Sequence, residues 1–274
     1  MANRLGIDFI SVLAMPPVEH VRLAAELGCA NVSLAPAPFT ANPRGHAAWS
    51  LRDDADLRRE LKAALAGEGT RLALGEGFLV WPSAGIPISA GDLDLFAELE
   101  CDRVNALAVE PDRAKALDTF AQFARLAGER GLIATLEFMP GTVFGDFAAA
   151  LAARDEIGDP NLTVLVDTMH FGCSNSSVTQ LAACDPAAIG YIQLCDAPTD
   201  LANDPAAYGE AAKHNRLPPG EGELPLAAIL AAAPRSVPVG LELPRLALAE
   251  TGASPRESLA GAVETARRLL ESLP

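Results

Sequence analysis

Strand-like runs alternate with helix-like runs along the whole chain. The strand-like runs, rich in aliphatic and β-branched residues, are 4–12, 31–35, 71–78, 103–110, 132–138, 162–168, 189–196 and 237–243. The runs between them, such as "DADLRRELKAALAGEG" and "PRESLAGAVETARRLLESL", repeat apolar residues at i, i+3, i+4 and i+7, the period of an amphipathic helix. Strict alternation of this kind is typical of parallel strands that are joined by right-handed helical crossovers.

Eight such units in 274 residues favour a closed barrel over an open sheet. The first turn, "SVLAMPPVEH", also lacks the GxGxxG pattern of dinucleotide-binding sheets. We therefore predict an α/β fold, a (β/α)8 TIM barrel that forms a single domain over residues 1–274. The two longest connections, 36–52 and 197–223, both follow strands. We expect them at the C-terminal mouth of the barrel, where barrel enzymes have their active sites.

Composition limits the classes of partner. Half of the residues are apolar, which is enough for a large core, and the net charge is −15. That charge repels phosphate backbones and anionic lipid, so we expect neither a nucleic-acid nor a membrane partner. The five cysteines form no CxxC pair, and no signal-like or spanning apolar run is visible. We expect a soluble cytoplasmic protein with a small-molecule substrate, and a homo-oligomer remains possible.

Four successive strand-like runs each carry one oxygen-bearing side chain close to their C-terminal end. These side chains are Glu137, Asp167, Gln193 and Glu242. One buried carboxylate could be paired with an arginine or a helix N-terminus, but three that converge would repel one another without a cation. An all-oxygen set of ligands suits Mn²⁺ or Mg²⁺ better than Zn²⁺, which prefers nitrogen and sulfur. We predict that these four residues hold one divalent metal ion.

Five motifs make the chain similar to the xylose-isomerase-like barrel superfamily, the AP endonuclease family 2 type. The motifs are "LEFMP", "LVDTMHF", "YIQLCDAP", "RLPPGEGELPL" and "VGLELP". The superfamily includes sugar isomerases and epimerases, inosose and 3-dehydroshikimate dehydratases, hydroxypyruvate isomerases and endonuclease IV. The resemblance implies the same four metal ligands. It also implies that His170 and Arg216 contact the substrate.

The chain departs from two branches of that superfamily. Ketose 3-epimerases generally have histidine as the third ligand, whereas Gln193 is more like hydroxypyruvate isomerases and dehydroshikimate dehydratases. Endonuclease IV needs several additional histidines for three zinc ions, and a chain with four histidines cannot supply them. A nuclease function is therefore excluded.

The four residues predict acid–base chemistry next to a metal ion. We expect an isomerase or epimerase of a small sugar-like hydroxy-ketone, with proton transfer through a metal-stabilised enediolate and with Glu137 and Glu242 as the catalytic acid and base. A metal-dependent lyase of the dehydroshikimate or inosose dehydratase type is the alternative, and a non-catalytic barrel is a third possibility. Glu76, at the end of the third strand, could line the pocket, and Asp196 could orient a ligand.

Overall fold

A computed structural model describes residues 3–80 and 89–273. Eight parallel strands, numbered in chain order, form a closed barrel in which each strand pairs with its sequence neighbours and β1 pairs with β8. This confirms the predicted (β/α)8 fold. The strands are β1 (Leu5–Ile7), β2 (Asn31–Leu34), β3 (Arg71–Val80), β4 (Arg103–Ala108), β5 (Ile133–Glu137), β6 (Leu162–Asp167), β7 (Ile189–Leu194) and β8 (Val239–Leu241).

Capping side chains and glycines define where several helices begin and end. Asp54, Asp112 and Asp146 each accept a hydrogen bond from a backbone N–H in the first turn of a helix, and Gly69 and Gly158 end helices in the left-handed conformation. The helices are α1 (Pro17–Glu26), α2 (Ala55–Glu68), α3 (Ala90–Glu98), α4 (Arg113–Gly128), α5 (Phe147–Ile157), α6 (Thr168–Gly172), α7 (Val178–Ala183), α8 (Pro205–His214), α9 (Leu226–Ala232), α10 (Leu246–Glu250) and α11 (Pro255–Ser272).

The structure differs from the sequence prediction at two connections. The first strand ends at Ile7, and a 3-10 turn over Phe9–Val12 follows it. The connection 197–223 is not a simple loop, because it contains a 3-10 turn over Thr199–Asn203 and the helix α8. Asp204 accepts hydrogen bonds from two N–H groups of α8 and Pro205 occupies its first turn, so local sequence is sufficient to start this helix.

The core lies mainly between the barrel wall and the surrounding helices. Phe78 of β3 packs against Phe96 of α3 and Phe123 of α4, with ring centroids 5.9 and 5.3 Å apart. Each fully buried phenylalanine contributes about 1.5–3 kcal/mol to folding.

In the part of the chain that the structure covers, no helix combines the length and the apolar character needed to cross a membrane.

The register of the barrel brings the predicted site residues to one mouth. Glu137 and Asp167 are the last residues of β5 and β6, and Glu242 directly follows β8. Asp167 pairs with Gln193, and Gln193 pairs with Gly240 of β8. The carboxyl ends of four neighbouring strands therefore present these side chains at the same end of the barrel.

Candidate active site

Asp167 lies where the buried strand β6 becomes the short helix α6. Its Oδ1 accepts hydrogen bonds from the N–H groups of Met169 and His170, at 2.7 and 3.2 Å, and so starts α6. Its Oδ2 accepts a hydrogen bond from Arg216 Nη1 at 2.5 Å. The Asp167 carboxylate thus has two roles. One oxygen fixes the turn that carries His170, and the other faces Arg216 in the site.

Glu137 is held from both sides. Asn105 of β4 donates a hydrogen bond from Nδ2 to Glu137 Oε2 at 2.5 Å. His170 Nε2 lies 3.3 Å from Glu137 Oε1 and 3.7 Å from Asp167 Oδ2. Glu137, Asp167 and His170 each offer a potential ligand atom, and these atoms lie within 4.8 Å of one another.

Gln193 and Glu242 form a second pair beside this group. Gln193 Nε2 donates to Glu242 Oε1 at 2.8 Å. Gln193 Oε1 is buried and has no hydrogen-bond partner within residues 3–80 and 89–273. A buried acceptor without a partner is costly, so this oxygen indicates a place for a cation or a donor.

Arg216 connects the two groups of side chains. Its Nη1 lies 2.5 Å from Asp167 Oδ2 and 2.7 Å from Glu242 Oε2, and only 5% of the residue is exposed. Its Nε donates to the carbonyl oxygen of Ala212 at 2.9 Å, and its backbone N–H donates to Pro244 O at 3.0 Å. Predicted as a substrate contact, Arg216 lies in the site and is the counter-ion of two of the predicted ligands.

Burial and charge set the protonation of this cluster. Burial raises the pKa of Glu242 well above its ordinary value, and the charge of Arg216 opposes this only in part. Burial also acts on Asp167, but there the charge of Arg216 prevails and brings its pKa well below the usual range. A proton on Glu242 therefore lets neighbouring carboxyl groups share one arginine in a buried site.

Two overlapping sets of side chains offer donor atoms for a divalent ion. The predicted set is Glu137, Asp167, Gln193 and Glu242, and it includes the unpartnered amide oxygen. The other set is Glu137, Asp167 and His170, and among the acidic and histidine side chains of the described residues this is the group whose ligand atoms lie within 4.8 Å of one another, without Glu242. Both sets contain Glu137 and Asp167. Which set would act depends on whether His170 Nε2 carries a proton.

Two polar residues of the site escaped the sequence prediction. Asn105 interrupts the apolar strand run "RVNALAVE", and that interruption was the available signal. Tyr208 lies on α8, where its hydroxyl is 2.6 Å from His170 Nδ1. Its only signal was its position in the long connection 197–223, because the contact with His170 spans 38 residues of chain.

A second polar cluster adjoins the first, because the carboxyl group of Asp8 lies beside Gln193 and Asp167. The Tyr191 hydroxyl donates to Asp8 Oδ1 at 2.7 Å, and the Ser33 hydroxyl donates to Glu76 Oε1. Burial raises the pKa of Asp8 to about 7 and that of Glu76 to about 8. An irregularity between β3 and β4, with Gly77 at φ +98°, accompanies the inward position of Glu76. The pocket-lining role of Glu76 stays a prediction.

The carboxylate of Asp196 is occupied by hydrogen bonds from the backbone. It accepts hydrogen bonds from the N–H groups of Ala197, Gly220 and Leu224, at 2.9, 2.9 and 3.0 Å. These bonds hold the "PPGEGEL" turn against the end of β7. The contacts of Asp196 are therefore with the turn, and orientation of a ligand by Asp196 stays a prediction.

Comparison with known proteins identifies a family. The model of the xylose isomerase-like TIM barrel family matches residues 21–269. No curated protein matches the chain in sequence.

Solved structures with the same barrel share little sequence with the chain. A xylose isomerase-like TIM barrel/4-hydroxyphenylpyruvate dioxygenase fusion protein is 21% identical, with a TM-score of 0.77 over 97% of this chain and 42% of that one. The chain thus spans less than half the length of that protein. The IolI protein, solved with a bound zinc atom, is 16% identical, with a TM-score of 0.79 over 99% of both chains. The probable 3-DHS dehydratase AsbF from Bacillus anthracis is 13% identical, with a TM-score of 0.76 over 96% of this chain and 98% of that one. At these identities the likeness shows the fold alone.

Proposed function

Because this chain belongs to the xylose isomerase-like TIM barrel family, we propose that it is a divalent-metal-dependent isomerase or epimerase of a small sugar-like hydroxy-ketone. The observation that carries the proposal is the close approach of two predicted ligands, Glu137 and Asp167, whose potential ligand atoms lie within 4.8 Å of each other and of His170 at the mouth of the barrel. The unpartnered oxygen of Gln193 supports it, because this buried acceptor is free to bind a cation or a donor.

The predicted ligands Glu137, Asp167, Gln193 and Glu242 would hold the ion, with Mn²⁺ or Mg²⁺ preferred by their oxygen atoms. When bound, such an ion supplies positive charge beside the carbonyl oxygen and makes the neighbouring C–H group more acidic.

Glu137 would take the proton. Asn105 fixes one of its carboxylate oxygens and His170 lies beside the other, so the side chain has a defined orientation. Glu242 belongs to a strand on the other side of Gln193 and would return a proton to the substrate. His170 and Arg216 would donate hydrogen bonds to substrate oxygens and offset the charge that develops there.

A lyase is the second candidate. Gln193 is compatible with it, because the resemblance associates an amide at this position with dehydroshikimate dehydratases as well as with hydroxypyruvate isomerases. Loss of a β-hydroxyl after the same proton abstraction by Glu137 would give dehydration instead of isomerisation. The residues that act first are the same in both reactions, so the product distinguishes them.

Elemental analysis and isotope exchange test the proposal together. The purified protein is stripped with a chelator and reloaded with Mn²⁺ or Mg²⁺. It is then incubated in deuterated water with a panel of ketoses and cyclic hydroxy-ketones. We expect metal-dependent exchange of the proton next to the carbonyl group. An isomer as product supports the first candidate, and an unsaturated product with new ultraviolet absorbance supports the lyase.

The matched variants are Glu137→Gln and Glu156→Gln. Glu156 is an exposed glutamate of α5, and its carboxylate pairs with Arg113 at 2.7 Å. Exchange should be lost in the first variant and unchanged in the second. Equal exchange in both variants, or full activity of the stripped protein, would contradict the assignment of Glu137 or of the metal.

A further inference from the structure

Tyr208 is a buried hydroxyl that the proposed reaction does not use. It belongs to α8, in the connection that follows β7, and only 8% of the residue is exposed. Asp204 caps the start of α8, and Arg216 Nε binds the carbonyl oxygen of Ala212 in its last turn. The same helical segment, fixed at both ends, therefore positions Tyr208 in the site, and Arg216 follows it in the chain.

Tyr208 is the outer member of a chain of polar contacts that ends at Glu137. Its hydroxyl lies 2.6 Å from His170 Nδ1, and the opposite ring nitrogen, Nε2, lies 3.3 Å from Glu137 Oε1. Asn105 holds the other oxygen of Glu137. The orientation of the imidazole ring thus links a residue of the long connection to the proposed base.

The surroundings of His170 Nε2 require a proton on that atom. Nε2 faces Glu137 Oε1 and Asp167 Oδ2, and both of these are acceptors. A bare nitrogen lone pair directed at two carboxylates would be repelled, whereas an N–H group would be attracted.

The surroundings of Tyr208 require that His170 Nδ1 carries no proton. Within the described ranges, His170 Nδ1 is the hydrogen-bond partner of the Tyr208 hydroxyl. Burial, together with the charge of Asp167, raises the pKa of Tyr208, so the hydroxyl keeps its proton. A buried hydroxyl needs an acceptor for that proton, and Nδ1 can accept only if it carries none.

We propose that Tyr208 is a positioning residue that fixes His170 in the tautomer with its proton on Nε2. In this form His170 has a single N–H group, which it donates to Glu137 in the resting protein or to a bound substrate, and it cannot serve as a ligand of the ion. The ion is then left to Glu137, Asp167, Gln193 and Glu242, the all-oxygen set. The consequence for catalysis rests on the proposed function, but the tautomer itself is a property of the resting protein.

Nitrogen NMR of the histidine rings tests the inference directly. The chain contains four histidines, so ¹⁵N-histidine labelling gives four ring systems, and His170→Asn assigns the one of interest. Spectra are recorded with chelator, with Mg²⁺ and with Zn²⁺, all of which are diamagnetic. The test variant is Tyr208→Phe, which removes the hydroxyl and keeps the ring. The control is Tyr191→Phe, the only other tyrosine, whose hydroxyl binds Asp8 and not His170.

In the wild-type protein we expect a protonated Nε2 and a bare Nδ1 for His170, with chelator and with either ion. In Tyr208→Phe we expect this pattern to be replaced by a mixture of tautomers, or the Nε2–H signal to be lost through exchange with water. The control should keep the wild-type signals of His170.

Three results would overturn the inference. The first is a proton on Nδ1 in the wild-type protein, alone or together with one on Nε2. The second is a Zn²⁺- or Mg²⁺-dependent shift of Nε2 to the position of a metal-bound nitrogen. The third is a His170 spectrum that is the same in Tyr208→Phe and in the wild-type protein. The wild-type spectra decide the first two even if the variant does not fold. Activity is not part of the test, so failure of the proposed function is a separate result.

Discussion

Replacement of Arg216 by methionine would remove the one guanidinium that lies between two buried carboxyl groups. Nη1 lies 2.5 Å from Asp167 and 2.7 Å from Glu242, and methionine fills a similar length without charge or donors. Because Glu242 retains a proton, the charge left uncompensated is mainly that of Asp167. We expect the metal-free variant to fold and to be clearly less stable.

The size of the loss follows from the burial of the pair. Removing one partner of a buried ion pair costs about 3–5 kcal/mol. An unfolding entropy of roughly 2.1 cal/mol/K per residue gives about 580 cal/mol/K for 274 residues. Each kcal/mol then changes Tm by about 2 °C, so Arg216→Met should unfold about 5–9 °C below the wild-type protein in chelator.

A divalent ion should reverse part of this loss. Arg216 Nη1 lies beside both Asp167 Oδ2 and Glu242 Oε2, so an ion held by these two residues would compete with the guanidinium. Without the guanidinium the ion meets no competing cation, and each tenfold gain in affinity adds about 1.4 kcal/mol of stability at saturation. Saturating Mn²⁺ or Mg²⁺ should therefore raise Tm more in Arg216→Met than in the wild-type protein.

Thermal unfolding, with and without ion, measures both effects, and titration calorimetry measures the affinities. The control is Arg59→Met, a 71% exposed arginine side chain that pairs with Asp56. Its stability should stay within about 0.5 kcal/mol of wild type. An Arg216→Met variant as stable as wild type in chelator would refute the buried-pair argument. Equal thermal shifts on addition of ion would show that the ion and Arg216 do not compete.

Four further predictions concern other residues of the mouth. Glu242→Gln should keep the fold and abolish turnover, since an amide cannot return a proton, and a wild-type rate would remove Glu242 from the reaction. Asp167→Asn should still start α6 but bind the ion at least tenfold more weakly by calorimetry, and unchanged affinity would show that Asp167 is not a ligand. Gln193→His should shift preference towards Zn²⁺ or Co²⁺ and make affinity fall as the pH drops through about 6.5, which competition titrations from pH 5 to 8 would detect. In chelator, Asp8→Asn should gain stability relative to wild type as the pH rises from about 4 to 7. The raised pKa of Asp8 makes the folded wild-type protein hold a proton that the unfolded chain has released, and urea unfolding at several pH values would show a constant difference if this is wrong.

The order of elements and the location of the site could be predicted from the sequence, because both depend on local patterns. The helical period of three to four residues and the short apolar runs specify each element, and eight alternations are sufficient for a closed barrel. Parallel strands place all their carboxyl ends at one mouth. For this reason Glu137, Asp167, Gln193 and Glu242, which are far apart in the chain, could be assigned to one region before any contact was known.

The partners of those side chains depended on the tertiary structure. Arg216 reaches Asp167 across 49 residues of chain, and Tyr208 reaches His170 across 38. Such contacts are set by the path of the connection after β7 and by the rotamers of long side chains. Neither leaves a periodic signal in the sequence.

The protonation states of the acidic residues in the site also depend on the tertiary structure. Glu137, Asp167 and Glu242 are three acidic residues at the ends of strands in the sequence, with nothing to tell them apart electrostatically. In the fold, Asp167 faces Arg216 and His170 and has a lowered pKa, whereas for Glu242 burial outweighs the same arginine and raises the pKa. The sequence by itself determined which acidic groups meet. Only the packed structure determined which of them keeps its proton, because desolvation and the distances between charges arise when the chain is folded.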